Sequence, residues 1–444
     1  MWLAMAWTFH PDLLATPVPR YTSYPTAAEF NDSVGARELG EAMAAIQPDQ
    51  SMSLYVHIPY CHEICWYCGC NTGAANKAQR LNSYLEALTA EIVLVAARLA
   101  GNGRVRRIAF GGGSPNAIAT AQFTELLANL RTAFLAHDAL VSVELDPRSL
   151  NKAWFEALGA AGIGRASLGV QTFDPKVQRA IGRIQPEELI RTAIDELRRA
   201  GVGSLNFDLM YGLPYQGLAE LKETLATTID MRPDRIALFG YAHVPDLIPR
   251  QRRIDANGLP DARLRFAQAE LGHRVLTHAG YQPAGFDHYA RPGDPLALAA
   301  REGRMRRNFQ GFTDDDNEVL VGLGASAISQ FPNLIVQNEK NAGRYKIRVS
   351  SGLLPAAHGV FRGPEDRRRR RIIEQLLCNG EAEIREVVEP QLRDRLRPFL
   401  DRGLATMECG RLRLPDYARP YARVIAALFD EYRQPAGRRL SSAI

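Results

Sequence analysis

Three cysteines, Cys61, Cys65 and Cys68, form a CxxxCxxC triplet in the loop that follows the predicted strand SLYVHI. Cysteine thiolates are the usual ligands of iron–sulfur clusters, and three of them placed so close together can wrap one cube. Because a [4Fe–4S] cube contains four irons, three thiolates leave one iron open to a substrate or a cofactor. The triplet therefore predicts a [4Fe–4S] cluster with one open coordination site.

The open iron indicates which kind of ligand the cluster would bind. S-adenosylmethionine carries an amino and a carboxylate group suited to chelating such an iron. A structural zinc site is one alternative, but zinc usually takes paired CxxC units from two separate segments, and the second pair is missing here. Inert structural thiols are another alternative. Cys70 forms a CxC with Cys68 and is conceivable as a fourth ligand, although an open iron argues against that role.

The length, composition and charge exclude several classes of protein. With 444 residues, of which 46% are hydrophobic and 23% charged, the chain is that of a globular protein with more than one domain. A net charge of +5 is too small for this length to indicate nucleic-acid binding. No basic region precedes an apolar stretch at the start, no apolar run has the length of a membrane span, and the six cysteines do not form a disulfide framework. We therefore expect a cytoplasmic protein.

Six β-rich runs alternate with helical patterns, which is typical of a βα repeat with a parallel sheet. The runs are 53–58, 105–110, 141–145, 165–170, 204–209 and 235–240. The helix after the first run is the clearest, because apolar residues recur along it at spacings of three and four, while Glu86 and Glu91 lie on its other faces. This apolar stripe consists of Leu81, Leu85, Leu88, Ile92, Val95 and Leu99. The periodicity does not decide between a partly closed barrel and an open sheet.

Unusual polar residues stand where these predicted strands end. Either architecture places ligands at the carboxyl ends of the strands, so we expect one common site there. Glycines in GGGSPN at 111–116 would let the backbone approach a cofactor, although such turns are common in α/β proteins. The other strand-end residues are Tyr55, His57, Glu144, Asp146, Gln171, Asp208, Tyr241 and His243. Glu144 and Asp208 could accept hydrogen bonds from ribose or amino groups, or could be ordinary loop carboxylates.

The alternation of strands and helices fades after about residue 245, which suggests a division of the chain. We predict an N-terminal arm at 1–45, a partial barrel at 46–300, an irregular segment associated with the barrel at 301–360, and a C-terminal helical domain at 361–444. The run of arginines Arg367–Arg371 opens the helical pattern of the last domain, where a solvated helix face is the simpler interpretation and an anion-binding role the alternative.

Ten segments of the chain, in this order, resemble one family, the oxygen-independent coproporphyrinogen III oxidases, or coproporphyrinogen dehydrogenases, of the radical SAM superfamily. The resemblance covers nearly the whole chain. It is carried by RYTSYPTA (20–27), YVHIPYCHEICWYCGCNT (55–72), GGGSP (111–115), VELDP (143–147), GVQTFD (169–174), FDLMYGLP (207–214), YAHVP (241–245), GFDHYARP (285–292), NFQGFT (308–313) and GASAIS (324–329). It implies an α/β fold, a partial (β/α)6 radical SAM barrel with an N-terminal arm and a small, mostly helical C-terminal domain.

The resemblance also implies roles for single residues. The cluster would be held by Cys61, Cys65 and Cys68, while Cys70 would be needed without being a ligand. Two S-adenosylmethionine molecules would bind side by side. The first would contact Tyr55, Gly112, Glu144 and Ile328, and the second Tyr67, Gly113, Ser114, Gln171, Arg183, Asp208 and Ala242. Tyr55, Cys70, Phe309 and Gln310 would be catalytic or lie near the reacting groups.

The reaction implied by the resemblance is the oxidative decarboxylation of two propionates of coproporphyrinogen III to vinyl groups by a 5′-deoxyadenosyl radical, which gives protoporphyrinogen IX without oxygen. We expect a monomer with a tetrapyrrole substrate and a one-electron reductant such as flavodoxin or ferredoxin, without a nucleic-acid partner. Ser114, Asn116, Phe286 and Tyr289 depart from the family pattern and leave the tetrapyrrole preference open. A haem-binding carrier that keeps the cysteine triplet is the main alternative, and a haem-ring-opening relative is a further one.

Overall fold

The computed structural model describes residues 7–385 and 390–433, in which a twelve-stranded sheet forms the centre of the fold. The strands are β1 (Ser51–Ile58), β2 (Tyr60–Cys61), β3 (Gly73–Ala74), β4 (Arg104–Gly112), β5 (Leu140–Leu145), β6 (Arg165–Gln171), β7 (Ser204–Tyr211), β8 (Arg235–Gly240), β9 (Gln282–Ala284), β10 (His288–Ala290), β11 (Arg306–Asn308), β12 (Gly311–Thr313), β13 (Val319–Leu323), β14 (Ile328–Phe331), β15 (Leu334–Asn338), β16 (Ala356–Phe361), β17 (Glu381–Glu383), β18 (Thr406–Glu408) and β19 (Arg411–Arg413). The α-helices are α1 (Pro11–Leu14), α2 (Ala36–Ala44), α3 (Ala78–Leu99), α4 (Thr120–Ala133), α5 (Lys152–Ala160), α6 (Pro175–Ala180), α7 (Glu187–Arg199), α8 (Leu218–Met231), α9 (Ala262–His278), α10 (Pro295–Arg301), α11 (Ala342–Ser350), α12 (Pro364–Asn379), α13 (Pro390–Leu400) and α14 (Ala422–Ala426).

The six predicted strands are confirmed as β1 and β4 to β8. They lie side by side in chain order and pair in parallel, each followed by helical structure. Parallel neighbours need such crossover connections, and the crossovers bring all six carboxyl ends to one edge of the sheet. The predicted α/β class with a parallel sheet is therefore confirmed.

In the helix α3, the hydrophobic periodicity predicted most of the buried residues correctly but placed one residue on the wrong face. Most of the predicted stripe is buried against the sheet, with Tyr84 filling the place beside the half-buried Leu85. Glu91, predicted on another face, is instead buried, and this prediction is wrong. Its carboxylate accepts hydrogen bonds from Gly324 N (2.6 Å), Asn338 Nδ2 (2.8 Å) and the Tyr345 hydroxyl (2.6 Å). Partners that lie more than two hundred residues away leave no periodic signal.

The segment 301–360 is more regular than predicted, and the description of it as irregular is wrong. Within it, β13 pairs in parallel with β1, and β14, β15 and β16 extend the sheet in antiparallel fashion. The strands β14 and β15 have only four and five residues and are joined by a short turn, so they are too short to give a readable alternation. The segment is thus part of the central sheet.

A second hydrophobic core joins the two ends of the chain. Leu14, Val18, Tyr21 and Tyr24 of the arm pack with buried residues of α12 to α14. The Tyr21 hydroxyl donates to Asp430 Oδ2 at 2.9 Å, which ties the arm to the C-terminal segment. That segment is mostly helical and also contains the small antiparallel sheet β17–β19–β18. Among the described residues, no helix is long and apolar enough to cross a membrane.

A cluster of charges shows that the central sheet is curved. Arg107 of β4, Arg165 of β6 and Arg235 of β8 all donate to the carboxylate of Asp314, at 2.8–3.1 Å. In a flat sheet β4 and β8 would lie about 19 Å apart, because neighbouring strands are separated by about 4.8 Å. The shared carboxylate therefore requires a sheet that closes partly into a barrel. Asp314 and its three arginine partners lie at the amino end of the strands and close that end of the barrel; we call this group the Asp314 plug.

Removal of this carboxylate is expected to destabilise the barrel. Burial would raise the pKa of Asp314, but the hydrogen bond from Arg165 and the charges of Arg235 and Arg107 outweigh burial and hold the pKa well below its usual range. We expect Asp314→Asn to lower the free energy of unfolding at pH 7 by about 3 kcal/mol, because three guanidiniums lose their shared partner.

The pH dependence of this effect provides the check. A carboxyl with a depressed folded pKa stabilises the protein fully above its unfolded pKa of about 4 and loses that contribution as the pH falls. In urea titrations, the difference between wild type and Asp314→Asn should therefore shrink between pH 7 and pH 3. Asp316→Asn, two residues away and exposed, is the matched control. Equal unfolding midpoints for Asp314→Asn and Asp316→Asn at pH 7 would contradict the prediction.

Candidate functional site

The cysteine loop is anchored at both ends beside the carboxyl end of β1. Cys61 lies in β2, which pairs with β3 and closes the loop at its base. Inside the loop, the Cys68 N–H donates to the Cys65 carbonyl at 3.3 Å, and the Trp66 N–H donates to Ile181 O at 3.0 Å. Trp66 lies so close over Gly182 that a Cβ at this residue, whose φ is +64°, would be 2.7 Å from the indole. The loop is thus held against the turn that follows α6.

Two arginines contact the middle cysteine. Arg183 Nη1 donates to Cys65 Sγ at 3.2 Å and Arg148 Nη2 donates to it at 3.4 Å. Both guanidiniums also bind Asp146, at 3.2 and 2.6 Å. Burial would raise the pKa of Asp146, but the hydrogen bond from Arg148 and the charge of Arg183 keep that pKa below its usual value. Arg148 also binds Glu63 at 2.7 Å, so two carboxylates balance the two guanidiniums that hold the sulfur of Cys65.

The donor set of the loop fits a cluster rather than a single ion. In residues 7–385 and 390–433, no group of three His, Cys, Asp or Glu side chains converges as ligands of one metal ion do. A cube does not require such convergence, because its three ligands stand on separate irons. Burial raises the pKa of Cys61 to about 12, while the hydrogen bond with Cys70 lowers the pKa of Cys68 to about 6. Metal binding must therefore release protons. Cys61, Cys65 and Cys68 are the residues that would hold the cluster.

The glycine segment after β4 brings the backbone against the neighbouring strands. The Gly113 N–H donates to Ile58 O and the Ser114 N–H to Tyr60 O, both at 2.8 Å. A Cβ on Gly113 would lie 2.5 Å from Tyr60 O, and Gly112 has a φ of +107°. Glycine is therefore required at Gly112 and Gly113, because a side chain would push the segment away from the cysteine loop.

Two carboxylates lie at the same edge. Glu144 of β5 accepts a hydrogen bond from Gly112 N at 3.2 Å. Burial, and then the charge of Asp208, raise the pKa of Glu144 to about 7. Asp208 of β7 accepts from Ser167 Oγ (3.0 Å) and Asn206 Nδ2 (2.9 Å), and burial raises its pKa as well. Glu144 has a free acceptor capacity for a ligand that offers hydroxyl or amino donors.

The aromatic side chains of Tyr55, His57 and Phe309 form another side of the candidate site. The Tyr55 hydroxyl lies 3.2 Å from His57 Nδ1, and its ring meets Phe309 edge to face at 4.6 Å between centroids. Burial lowers the pKa of His57 to about 4, so the imidazole is neutral at pH 7. His57 Nε2 is buried and has no hydrogen-bond partner among the described residues. Ala327, next to Ile328 at the start of β14, packs against Tyr55.

One buried residue that the sequence did not single out joins two parts of the site. Gln251 Nε2 donates to the carbonyls of Tyr67 (2.9 Å) and Ala242 (3.1 Å), and its Oε1 accepts from Val244 N (2.6 Å). It thereby connects the cysteine loop to the segment after β8. Gln171 stands at the end of β6 in the left-handed region with a φ of +67°. Gln251 itself lies in a short 3-10 helix, Pro249–Arg253, where an isolated glutamine gives no signal in a single sequence.

These elements surround the open end of a cleft inside the barrel. The cleft has a volume of about 310 Å³ and reaches from the Asp314 plug to the carboxyl ends of the strands. Glu144, Asp208, Gln310 and His288 line it. His288 Nδ1 is hydrogen-bonded to Asp287 Oδ1 at 2.6 Å, so His288 is a buried histidine with a hydrogen-bond partner. The structure thus brings the predicted residues to one edge of the sheet, although their roles remain predictions.

Comparison with known proteins defines the class of protein first. Residues 55–227 match the radical SAM superfamily, which implies a [4Fe–4S] cluster and S-adenosylmethionine. The chain is 41% identical to an oxygen-independent coproporphyrinogen III oxidase from Bradyrhizobium diazoefficiens and 40% identical to one from Paracoccus denitrificans. The alignments cover 96% of this chain and 96% of the first relative, and 94% and 95% for the second.

A solved structure agrees with these relatives. The coproporphyrinogen III oxidase of Escherichia coli, described as a radical SAM enzyme, superimposes with a TM-score of 0.88 and 35% identity over 97% of this chain and 100% of that one. The chain therefore belongs to the family of oxygen-independent coproporphyrinogen III oxidases. The radical SAM fold class predicted from the sequence is confirmed, including the mostly helical C-terminal region.

Proposed function

We propose that this protein is an oxidoreductase that decarboxylates two propionates of coproporphyrinogen III to vinyl groups without oxygen. One observation carries the proposal. A cysteine triplet, two buried carboxylates and an aromatic wall meet at the mouth of a cleft of about 310 Å³. The nearly end-to-end similarity to coproporphyrinogen III oxidases supports the choice of substrate.

The cofactors are proposed to lie between the cysteine loop and the strand ends. The cluster on Cys61, Cys65 and Cys68, once reduced, would supply the electron that cleaves S-adenosylmethionine to a radical. We propose two S-adenosylmethionine molecules. The first would contact Tyr55, Gly112, Glu144 and Ile328, and the second Tyr67, Gly113, Ser114, Gln171, Arg183, Asp208 and Ala242. Glu144 and Asp208 are suited to accept hydrogen bonds from ribose or amino groups of these ligands.

The other residues shape the reaction space. Phe309 packs on Tyr55, where it would restrict the access of water, and the exposed Gln310 lines the cleft. Neutral His57 presents its unpartnered Nε2 within the buried site. Cys70 is held beside Cys68 through its backbone N–H, 3.4 Å from Cys68 Sγ. We propose that Cys70 acts near the reacting groups without ligating the cluster.

Several further properties belong to the proposal. A one-electron reductant such as flavodoxin or ferredoxin would supply the electron, and we propose a monomer in the cytoplasm. The division into an arm at 1–45, a barrel at 46–300, a barrel-associated segment at 301–360 and a C-terminal domain at 361–444 also stays a proposal. The last domain includes residues 386–389 and 434–444, which lie outside the described part of the chain.

The test is turnover under anaerobic conditions. Purified protein with a reconstituted cluster, S-adenosylmethionine, a chemical reductant and coproporphyrinogen III should release carbon dioxide and form protoporphyrinogen IX. The same protein without S-adenosylmethionine is the control. If no vinyl product forms and the protein instead binds haem stoichiometrically, the function is that of a haem carrier and the proposal is wrong.

The raised pKa of Glu144 predicts that the affinity for S-adenosylmethionine depends on pH. With a pKa of about 7, its ionised fraction rises about tenfold between pH 6 and pH 8. The ionised form is the better acceptor, so the Kd for S-adenosylmethionine should fall by up to about tenfold over that range in wild type. The same raised pKa makes the folded state less stable as the pH rises through 7, because the folded carboxyl retains a proton that the unfolded one has lost.

Calorimetric titration of two variants checks this prediction. Glu144→Gln should bind S-adenosylmethionine with a Kd that hardly changes between pH 6 and pH 8. Glu156→Gln changes an exposed carboxylate on α5 and should keep the wild-type slope. A full wild-type slope in Glu144→Gln would show that another group titrates.

A further inference from the structure

A second cavity lies on the outer face of β8, between the barrel, the N-terminal arm and the C-terminal segment. Its volume is about 50 Å³, so it has room for a carboxylate group but not for a larger ligand. Leu238 and Gly240 line this cavity, whereas Phe239 between them lines the barrel cleft, as the alternation of a strand requires. Its walls carry four guanidiniums and, among the described residues that line it, a single carboxylate. These residues are Arg20, Arg265, Arg419, Arg423 and Asp287.

The arginines are fixed mostly by neutral groups. Arg20 Nη2 donates to Gly240 O and Arg265 Nη2 to Tyr241 O, each at 2.7 Å. Arg419 donates to Gly285 O and binds the exposed Asp416 at 3.2 Å. Backbone carbonyls satisfy single N–H groups but do not neutralise the charges. The Nε atoms of Arg265 and Arg419 are buried and have no hydrogen-bond partner among the described residues.

Among the described residues, no carboxylate forms a salt bridge with Arg20 or Arg265, so these two charges are not compensated. Asp287, the carboxylate of the cavity, already accepts from His288 at 2.6 Å. Burial, and then repulsion by Arg20, lower the pKa of Arg423 to about 9, and burial lowers the pKa of Arg265 as well. Buried charges of one sign are costly unless a counter-charge is supplied. A bound anion would supply that charge and accept hydrogen bonds from the guanidiniums that line the cavity.

We propose that this cavity is a carboxylate-binding subsite that receives a propionate of the tetrapyrrole, an inference that rests on the proposed function. Tyr211, Gly240 and Ala242 line it, so it lies at the carboxyl ends of β7 and β8, the edge that holds the candidate site. Asp287 on its wall is bonded to His288, which lines the cleft. Guanidiniums bind carboxylates through two parallel hydrogen bonds, which explains the choice of arginine.

Binding measurements on the full chain with its reconstituted cluster test the subsite. The probe is coproporphyrin III, the stable oxidised form of the substrate, which carries four propionates. Arg265→Gln and Arg419→Gln should each raise its Kd by about tenfold, the loss expected for one charge-assisted hydrogen bond. Arg265→Lys keeps the charge and should lose less. Arg274→Gln, an exposed change on the same helix α9, is the matched control and should bind as wild type does.

Binding of a small dicarboxylate tests the subsite independently of the decarboxylation reaction. Glutarate should raise the melting temperature of wild type, and Arg265→Gln and Arg419→Gln should reduce that rise. Unchanged Kd values for coproporphyrin III in both variants would overturn the inference, and a glutarate effect without a change in porphyrin binding would assign the cavity to a free anion instead. If wild type binds coproporphyrin III through these arginines but does not decarboxylate coproporphyrinogen III, the proposed function fails while the subsite stands.

Discussion

Cys65→Ala should abolish both the cluster and the activity. Cys65 is the buried member of the triplet, and Arg183 and Arg148 both donate to its sulfur. Without this ligand only two cysteines of the triplet remain, and the two guanidiniums lose the sulfur to which both donate. Because the cofactor carries the difficult chemistry, turnover should fall at least about a thousandfold, to the detection limit.

The measurement is direct. After anaerobic reconstitution, the variant should lack the broad visible absorbance of the cluster, retain little iron and produce no 5′-deoxyadenosine from S-adenosylmethionine. Cys409→Ala, which removes an exposed cysteine of the C-terminal segment, is the control and should match wild type in all three measurements. A cluster with normal iron content in Cys65→Ala would show that the ligand assignment is wrong.

Arg183→Met should produce the second largest effect, because it removes a buried charge that serves three groups. Arg183 binds Asp146, the Gly169 carbonyl and Cys65 Sγ. Its loss leaves Asp146 with Arg148 alone, and we expect the free energy of unfolding to fall by about 3 kcal/mol. The cluster should also assemble less completely, because Arg183 no longer holds the Cys65 sulfur through its hydrogen bond.

Chemical denaturation at pH 7 and iron analysis together check this prediction. Arg179→Met, on α6 and exposed, removes the same side chain from the same stretch of chain and should leave both quantities near their wild-type values. Since Asp146 has a depressed pKa, the destabilisation in Arg183→Met should diminish as the pH falls below about 4, where the unfolded carboxyl takes up a proton. An unchanged unfolding midpoint at pH 7 would contradict the ion-pair assignment.

Local patterns were sufficient for much of the fold. The six strands β1 and β4 to β8 alternate with helices at a spacing that indicates parallel crossovers, and each was located within about two residues. The short strands of 301–360 were missed because runs of three to five residues contain too few alternations to be distinguished from loops. Glu91 was placed on the wrong face because its partners Asn338 and Tyr345 lie on a distant part of the chain.

The sequence by itself determined the chemistry of the cysteine loop. Cys61, Cys65 and Cys68 lie within one short loop, so their spacing alone limits what they can bind. The strand-end positions of Glu144 and Asp208 follow from parallel topology in the same way. Both conclusions depend on covalent neighbours or on a regular repeat, which a single sequence records.

Only the tertiary structure decided which distant residues complete the site. The partners Arg148 and Arg183 at Cys65, the bridge of Gln251 and the plug at Asp314 join segments separated by tens to hundreds of residues. The cavity on the outer face of β8 likewise combines Arg20 of the arm with Arg265 and Arg419. No spacing rule encodes such contacts, because the closure of the barrel and the packing of both chain ends bring these side chains together.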